Sequence, residues 1–136
     1  MSEQMLRYTV AALFIGSVSA AEALQPLHTD PTVYSGFYSI GLADEVRKNC
    51  DAIEPRMIKA YLKLKSLESY ARKQGYSDEE IETFTKNRIE KEKLRARIRK
   101  DLKKRGASPE SPEGYCTVGL EEIAKGSAAG KLLRAR

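Results

Sequence analysis

Two cysteines, Cys50 and Cys116, are the residues whose type most clearly implies chemistry, and that chemistry is disulfide formation. The chain lacks the Cys-x-x-Cys spacing that redox sites use. In an oxidising compartment an even pair is typical of one intramolecular disulfide, and two free, buried thiols are the alternative. The interpretation therefore depends on where the chain folds.

Residue types that carry catalysis are otherwise sparse. His28 is the only histidine, and it lies between two prolines, where a mobile segment makes a poor base or metal ligand. The sequence contains no nucleophile elbow, P-loop or His-Glu-x-x-His motif. We therefore predict no catalytic residue, no metal site and no cofactor.

A strongly basic run lies between Lys86 and Arg105, with eleven basic and three acidic residues in a chain of net charge +5. Such a run could meet an acidic protein, anionic lipid or another polyanion, or it could be a solvated helix face. Nucleic acid is not an expected partner, because the run lacks aromatic side chains that would stack on bases. The candidate contact residues are Arg88, Arg95, Arg97, Arg99, Lys100, Lys103, Lys104 and Arg105.

The first twenty-three residues predict export. A basic residue precedes an apolar run of about a dozen residues, whereas a membrane-spanning helix needs roughly 20. Small residues then allow cleavage after Ala20 or Ala23, so we interpret 1–23 as a cleaved signal peptide that starts at Met1 or Met5. A membrane anchor and a buried first helix are the alternatives. Export to the periplasm favours the disulfide.

After the predicted signal peptide, the sequence of residues 24–33 predicts an extended lead-in to a helical domain at 34–136. Apolar spacing predicts a first helix over about 34–49. The next helix, about 54–73, is apolar on more than one side, which favours a central position in a bundle. Its main apolar stripe comprises Met57, Ala60, Tyr61, Leu64, Leu67 and Ala71, with Ile58 and Leu62 on another side.

Capping patterns mark the later helices. Ser77 and Glu80 fit a capping box, and a slip in the apolar phase predicts a kink or break near Asn87. No segment alternates enough to predict a strand. The later elements are a helix from Ser77 to Asn87, a basic helix from Arg88 to Gly106, a helix from an N-cap at Ser111 to Gly126, and a turn at 127–133. The predicted fold class is all-α, a small bundle of four to five helices stapled by one disulfide.

Three runs resemble a small exported family of unknown function from alphaproteobacteria related to Rhodobacter and Paracoccus. They are Gly-Leu-Ala-Asp-Glu-Val-Arg-Lys-Asn-Cys at 41–50, Gly-Tyr-Ser-Asp-Glu-Glu-Ile at 75–81, and Tyr-Cys-Thr-Val-Gly at 115–119 with Glu-Ile-Ala at 122–124. The resemblance extends over about 34–134. It implies a periplasmic location, the same cysteine pair, and a role as an accessory subunit of a membrane-bound respiratory assembly, and it carries over no catalytic residue.

The predicted function is a non-enzymatic, periplasmic protein-interaction domain that serves as an accessory subunit of an envelope or respiratory complex. Its contact surface would include the basic run and exposed tyrosines, for which the candidates are Tyr34, Tyr38 and Tyr70. The alternative is a basic helical protein that binds anionic lipid or another polyanion at the envelope. A second alternative is an uncharacterised periplasmic enzyme.

Overall fold

A computed structural model describes residues 24–136 together with Gly16. The predicted signal peptide and its cleavage sites, apart from that glycine, lie outside the described residues. Five α-helices dominate the described part, which confirms the all-α prediction. The elements are a 3-10 turn Leu27–Thr29, α1 Pro31–Asn49, β1 Ile53–Pro55, α2 Met57–Lys73, α3 Asp78–Lys86, α4 Arg88–Lys104, α5 Glu113–Lys125, a second 3-10 turn Gly130–Leu132 and β2 Leu133–Ala135.

The lead-in is more structured than the extended segment predicted for 24–33, because it contains the first 3-10 turn with Leu27 buried. The first helix also begins earlier than predicted, at Pro31. Asp30 caps it, since its carboxylate accepts hydrogen bonds from the backbone N–H groups of Thr32 at 2.9 Å and Val33 at 3.1 Å. A proline at the first helical position removes no intrahelical hydrogen bond, so it suits this start.

α1 is the central helix of the bundle, with contacts to α2, α4 and α5. Gly41 lies against Ile98 of α4, and Gly119 of α5 lies against Val46 of α1. Each glycine occupies a position where a Cβ atom would collide with the neighbouring side chain, so the helices approach closely. Gly114 likewise packs on the backbone of the loop that precedes α5. Gly41 and Gly119 thus allow close helix approach, and Gly114 allows α5 to start close to the loop.

The Cys50–Cys116 disulfide is present and joins the end of α1 to the first turns of α5. The two Cα atoms are 5.2 Å apart, within the range that a disulfide requires. Cys50 is buried and Cys116 is half-buried in the same core cluster. A disulfide is typical of proteins that fold outside the reducing cytoplasm, so the bond indicates a non-cytoplasmic protein.

A two-stranded antiparallel ribbon pairs β1 with β2, with Ile53 opposite Ala135 and Pro55 opposite Leu133. The sequence analysis predicted no strand, because three-residue strands are too short to display an alternating pattern. The ribbon also shortens α2. Pro55, predicted to lie in the first turn of that helix, belongs to β1 instead, and α2 begins at Met57.

The predicted helix boundaries around α3 and α4 are confirmed. The Ser77 N–H donates to the Glu80 carboxylate at 2.7 Å, and the Glu80 N–H donates to Ser77 Oγ at 3.1 Å. Asn87 leaves the helical conformation and separates α3 from α4, and its side chain accepts from the Glu90 N–H at 3.1 Å. One asparagine thus ends the first helix and caps the second.

The start of α5 differs from the prediction. Ser111 is not the N-cap, because its backbone pairs with Ser108 in a tight turn and the helix begins at Glu113 after a helical Pro112. The end of α5 is as predicted. Gly126 has a φ of +61°, the left-handed conformation that glycine adopts without strain.

Replacing both cysteines with serine is expected to lower the free energy of unfolding by roughly 4 kcal/mol, because the bridge closes a loop of 66 residues. Urea unfolding of the variant and the parent protein measures the difference. Alkylation followed by mass spectrometry is the control, and it should modify neither thiol before reduction. Two modified thiols in the unreduced protein, or an unchanged unfolding midpoint, would contradict this account.

Candidate functional site

The first two turns of α2 expose four large apolar side chains. The exposed fractions are 64% for Met57, 78% for Ile58, 58% for Tyr61 and 59% for Leu62. We call these four residues the α2 patch. Residues three and four apart lie side by side on a helix surface, so the four side chains form one contiguous area rather than scattered contacts. Contiguous apolar surface of this kind is typical of interaction sites.

The prediction that α2 is the core helix is therefore wrong. Burial in α2 is confined to its second half, where Leu67 packs over Gly36 of α1 and Ala71 contacts the lead-in cluster. α4 and α5 pack on α1 rather than on the outer side of α2. The apolar residues on that outer side consequently have no cover among the described elements.

A groove of about 260 Å³ runs beside the α2 patch, and we call it the α2–α4 groove. Phe37 and Ile40 of α1 form its half-buried floor, and Met57 belongs to both the groove and the patch. Leu94 and Arg95 form the opposite wall on α4. The two features together present a recessed apolar channel next to a raised apolar helix face.

Positive charge surrounds the α2 patch. Arg56, Lys59 and Lys63 have no carboxylate oxygen within 4 Å among the described residues. The nearby Glu54 is engaged by Arg134 and Arg136 of β2 and its end. The Glu54 carboxylate is thus neutralised, whereas three cations around the patch have no such pairing in the described part of the chain.

The basic residues predicted on α4 do not form one surface. Four of the eight are held by carboxylates, and the ion pairs are Arg95–Glu92 at 3.1 Å, Arg97–Asp101 at 3.1 Å, Arg99–Glu45 at 3.5 Å, and Arg105 with Glu121 at 3.0 Å and Glu122 at 2.8 Å. Arg88, in the first turn of α4, has no carboxylate oxygen within 4 Å among the described residues. A cluster of Lys100, Lys103 and Lys104 is exposed near the C-terminal end of the helix, without an ion pair in the described part of the chain.

Of the three tyrosines predicted to be exposed, one is exposed and two are half-buried. Tyr34 is 43% exposed, whereas Tyr38 and Tyr70 are half-buried and donate hydrogen bonds to Asp101 at 2.7 Å and Asp30 at 3.1 Å. Sequence reasoning missed Tyr61 as a surface residue, because it placed this side chain in a core stripe. The signal that could have found the site was the surplus of apolar residues on more than one side of α2.

Residues 24–136 also bear on metal binding and membrane insertion. No group of three or more His, Cys, Asp and Glu side chains in this range is placed to hold a metal ion. None of the helices described there has the length and apolar character needed to cross a membrane. His28, expected to be mobile, lies in the first 3-10 turn and lines a second cavity.

The Tyr38 phenol is expected to ionise only at high pH. Its pKa is raised from 10.0 to about 12 by burial and by its hydrogen bond to the Asp101 carboxylate. The neutral phenol therefore stabilises the fold fully below about pH 10, and this contribution is lost as the pH rises towards 12. Phenolate absorbance as a function of pH measures the titration. Tyr38→Phe should remove one late-ionising phenol, and Asp101→Asn should move it to lower pH; an unchanged curve for both variants would contradict the assignment.

Of the comparisons with known proteins, the one with protein families gives a match. No curated protein and no solved structure matches the chain. A model of a family of unknown function, DUF5333, matches residues 25–134, which include every helix described above. The sequence resemblance to a family without assigned chemistry is thereby confirmed at this level. The chain belongs to the family of unknown function DUF5333.

Proposed function

We propose that this protein is a non-enzymatic interaction domain that receives an amphipathic helix of a protein partner on the α2 patch and the α2–α4 groove. The observation that carries the proposal is the α2 patch, in which four large apolar side chains lie exposed on consecutive turns. Leaving this much apolar surface in water is unfavourable, and covering it on binding is the main driving force for association.

The shape of the surface favours a protein helix over a bilayer. Phe37 and Ile40 are recessed between α2 and α4, where side chains of a docked helix can reach them and a flat membrane surface cannot. An amphipathic helix that lays its apolar face into such a groove is a common recognition mode. The apolar side chains of the docked helix would insert beside Met57 and Leu94.

The charge around the patch specifies acidic residues on the partner. Arg56, Lys59 and Lys63 lack ion-pair partners in the described part of the chain, so carboxylates beside the apolar face of a docked helix would complement them. Complementary charge of this kind contributes more to partner choice and association rate than to affinity.

We place this interaction in the periplasm of an alphaproteobacterium, at a membrane-bound envelope complex of which the protein is an accessory subunit. The disulfide and the export pattern at 1–23 support a compartment outside the cytoplasm. A second candidate function, binding of anionic lipid or another polyanion, is supported by the lysine cluster at Lys100, Lys103 and Lys104.

Site-specific photo-cross-linking in intact cells tests the proposal, with a photoreactive amino acid at position 58 or 62. We expect a discrete protein adduct at both positions, whose cross-linked peptide has an apolar face flanked by Asp or Glu. Leu120 on α5 is the matched control, because it is a single exposed apolar residue at 51% and should give no adduct. Lipid adducts alone, or equal adducts at position 120, would overturn the proposal.

Charge-reversal variants test, in the same experiment, whether the cations around the α2 patch contribute to binding. Lys59→Glu with Lys63→Glu should reduce the adduct several-fold, whereas reversal of Lys100 and Lys103 should not. Because all four side chains lie away from the core, the folding free energy should change by less than about 0.5 kcal/mol per substitution, as thermal unfolding can verify. A dependence on the α4 lysines, with steep loss of binding as salt increases, would favour the polyanion function instead.

A further inference from the structure

A second cavity, of about 230 Å³, lies where α3 ends and α4 begins, and we call it the α3–α4 cavity. It separates two groups of buried side chains. One group joins the second half of α1 to α4 and α5. The other joins the lead-in and α3 to the start of α1 and the end of α2. Because Asn87 interrupts the helix at this point, the chain opens a space between the two groups.

The interior of the cavity is apolar and largely aromatic. Phe37 and Phe84 meet edge to face with ring centroids 5.1 Å apart, and Tyr34 and Leu94 complete the wall. An apolar cavity of about 150 Å³ is large enough to bind benzene. The α3–α4 cavity therefore has room for a substituted aromatic ring or a short acyl chain.

The rim carries the charge that selects a ligand. Glu90 and Lys93 on the rim pair with each other at 3.0 Å. Lys91 also lines the cavity, and it has no carboxylate oxygen within 4 Å among the described residues. One uncompensated cation beside an aromatic interior matches a ligand with a single negative charge. The Glu90 carboxylate on the same rim disfavours a doubly charged phosphate.

We propose that the α3–α4 cavity binds a small amphipathic carboxylate, with its ring or acyl chain against Phe37, Phe84 and Leu94 and its carboxylate on Lys91. The cavity shares Phe37, Lys91 and Leu94 with the α2–α4 groove, whereas Phe84 and His28 belong to the cavity and not to the groove. His28 lies at the exposed side of the same cavity, and its imidazole N–H is a second hydrogen-bond donor in the lining.

Octanoate is a suitable probe, and octanol is its uncharged counterpart. Titration calorimetry together with amide chemical shifts should show octanoate binding with the shifted amides around Phe84, Thr85 and Leu94. Octanol should bind more weakly. Lys91→Gln should weaken octanoate binding about fivefold or more, while Lys100→Gln, on the outer face of the same helix, should have no effect.

Two further variants separate the cavity from other surfaces. Leu94→Phe should fill the space and abolish binding while the circular dichroism spectrum stays helical, and Ile58→Glu in the α2 patch should leave octanoate affinity unchanged. The proposal is overturned by the absence of octanoate binding, by equal affinity for octanol, by an unchanged affinity in the Lys91 variant, or by shifted amides at the α2 patch.

Discussion

The covalent junction between Cys50 and Cys116 determines how the rest of the bundle is arranged. It holds the end of α1 against the first turns of α5, and Gly119 lets the side chains of Val46 and Ile53 enter the same space. Ile53 belongs to β1, so the ribbon that leads into α2 is also built on this junction. The direction in which α2 leaves the core therefore follows from the contacts around the disulfide.

That arrangement explains why an apolar surface remains open. α5 covers one side of α1 through Val46, α4 covers another through Gly41, and the second half of α2 covers a third through Gly36. No described element is left to cover the outer side of the first turns of α2. The exposed patch is thus a product of the packing order, and the proposed partner helix would supply the layer that the described elements lack.

The local features of the fold could be predicted from the sequence, because they depend on a few neighbouring residues. The capping box at Ser77, the break at Asn87 and the glycine end at Gly126 are of this kind. The disulfide could also be predicted, since the chain has two cysteines and a pattern for export. The N-cap at Ser111 was wrong because a competing turn with Ser108 uses its backbone. The two short strands carry too few residues to produce a signal.

The candidate site could not be predicted, because periodicity reports which sides of a helix are apolar and not which sides are covered. The stripe on α2 had the pattern of a core helix, yet two of its six residues, Met57 and Tyr61, are exposed. The eight basic residues on α4 were a comparable case. Arg99 is held by Glu45, 54 positions away in the sequence, and such a partner becomes visible only when the helices are packed. The disulfide has one more effect, on the topology of the molecule. It closes a covalent ring that contains β1, α2, α3 and α4, and therefore the α2 patch and the α3 and α4 walls of the cavity. A single backbone cut by a protease within that ring would leave one molecule rather than two fragments, because the two pieces stay joined through the disulfide.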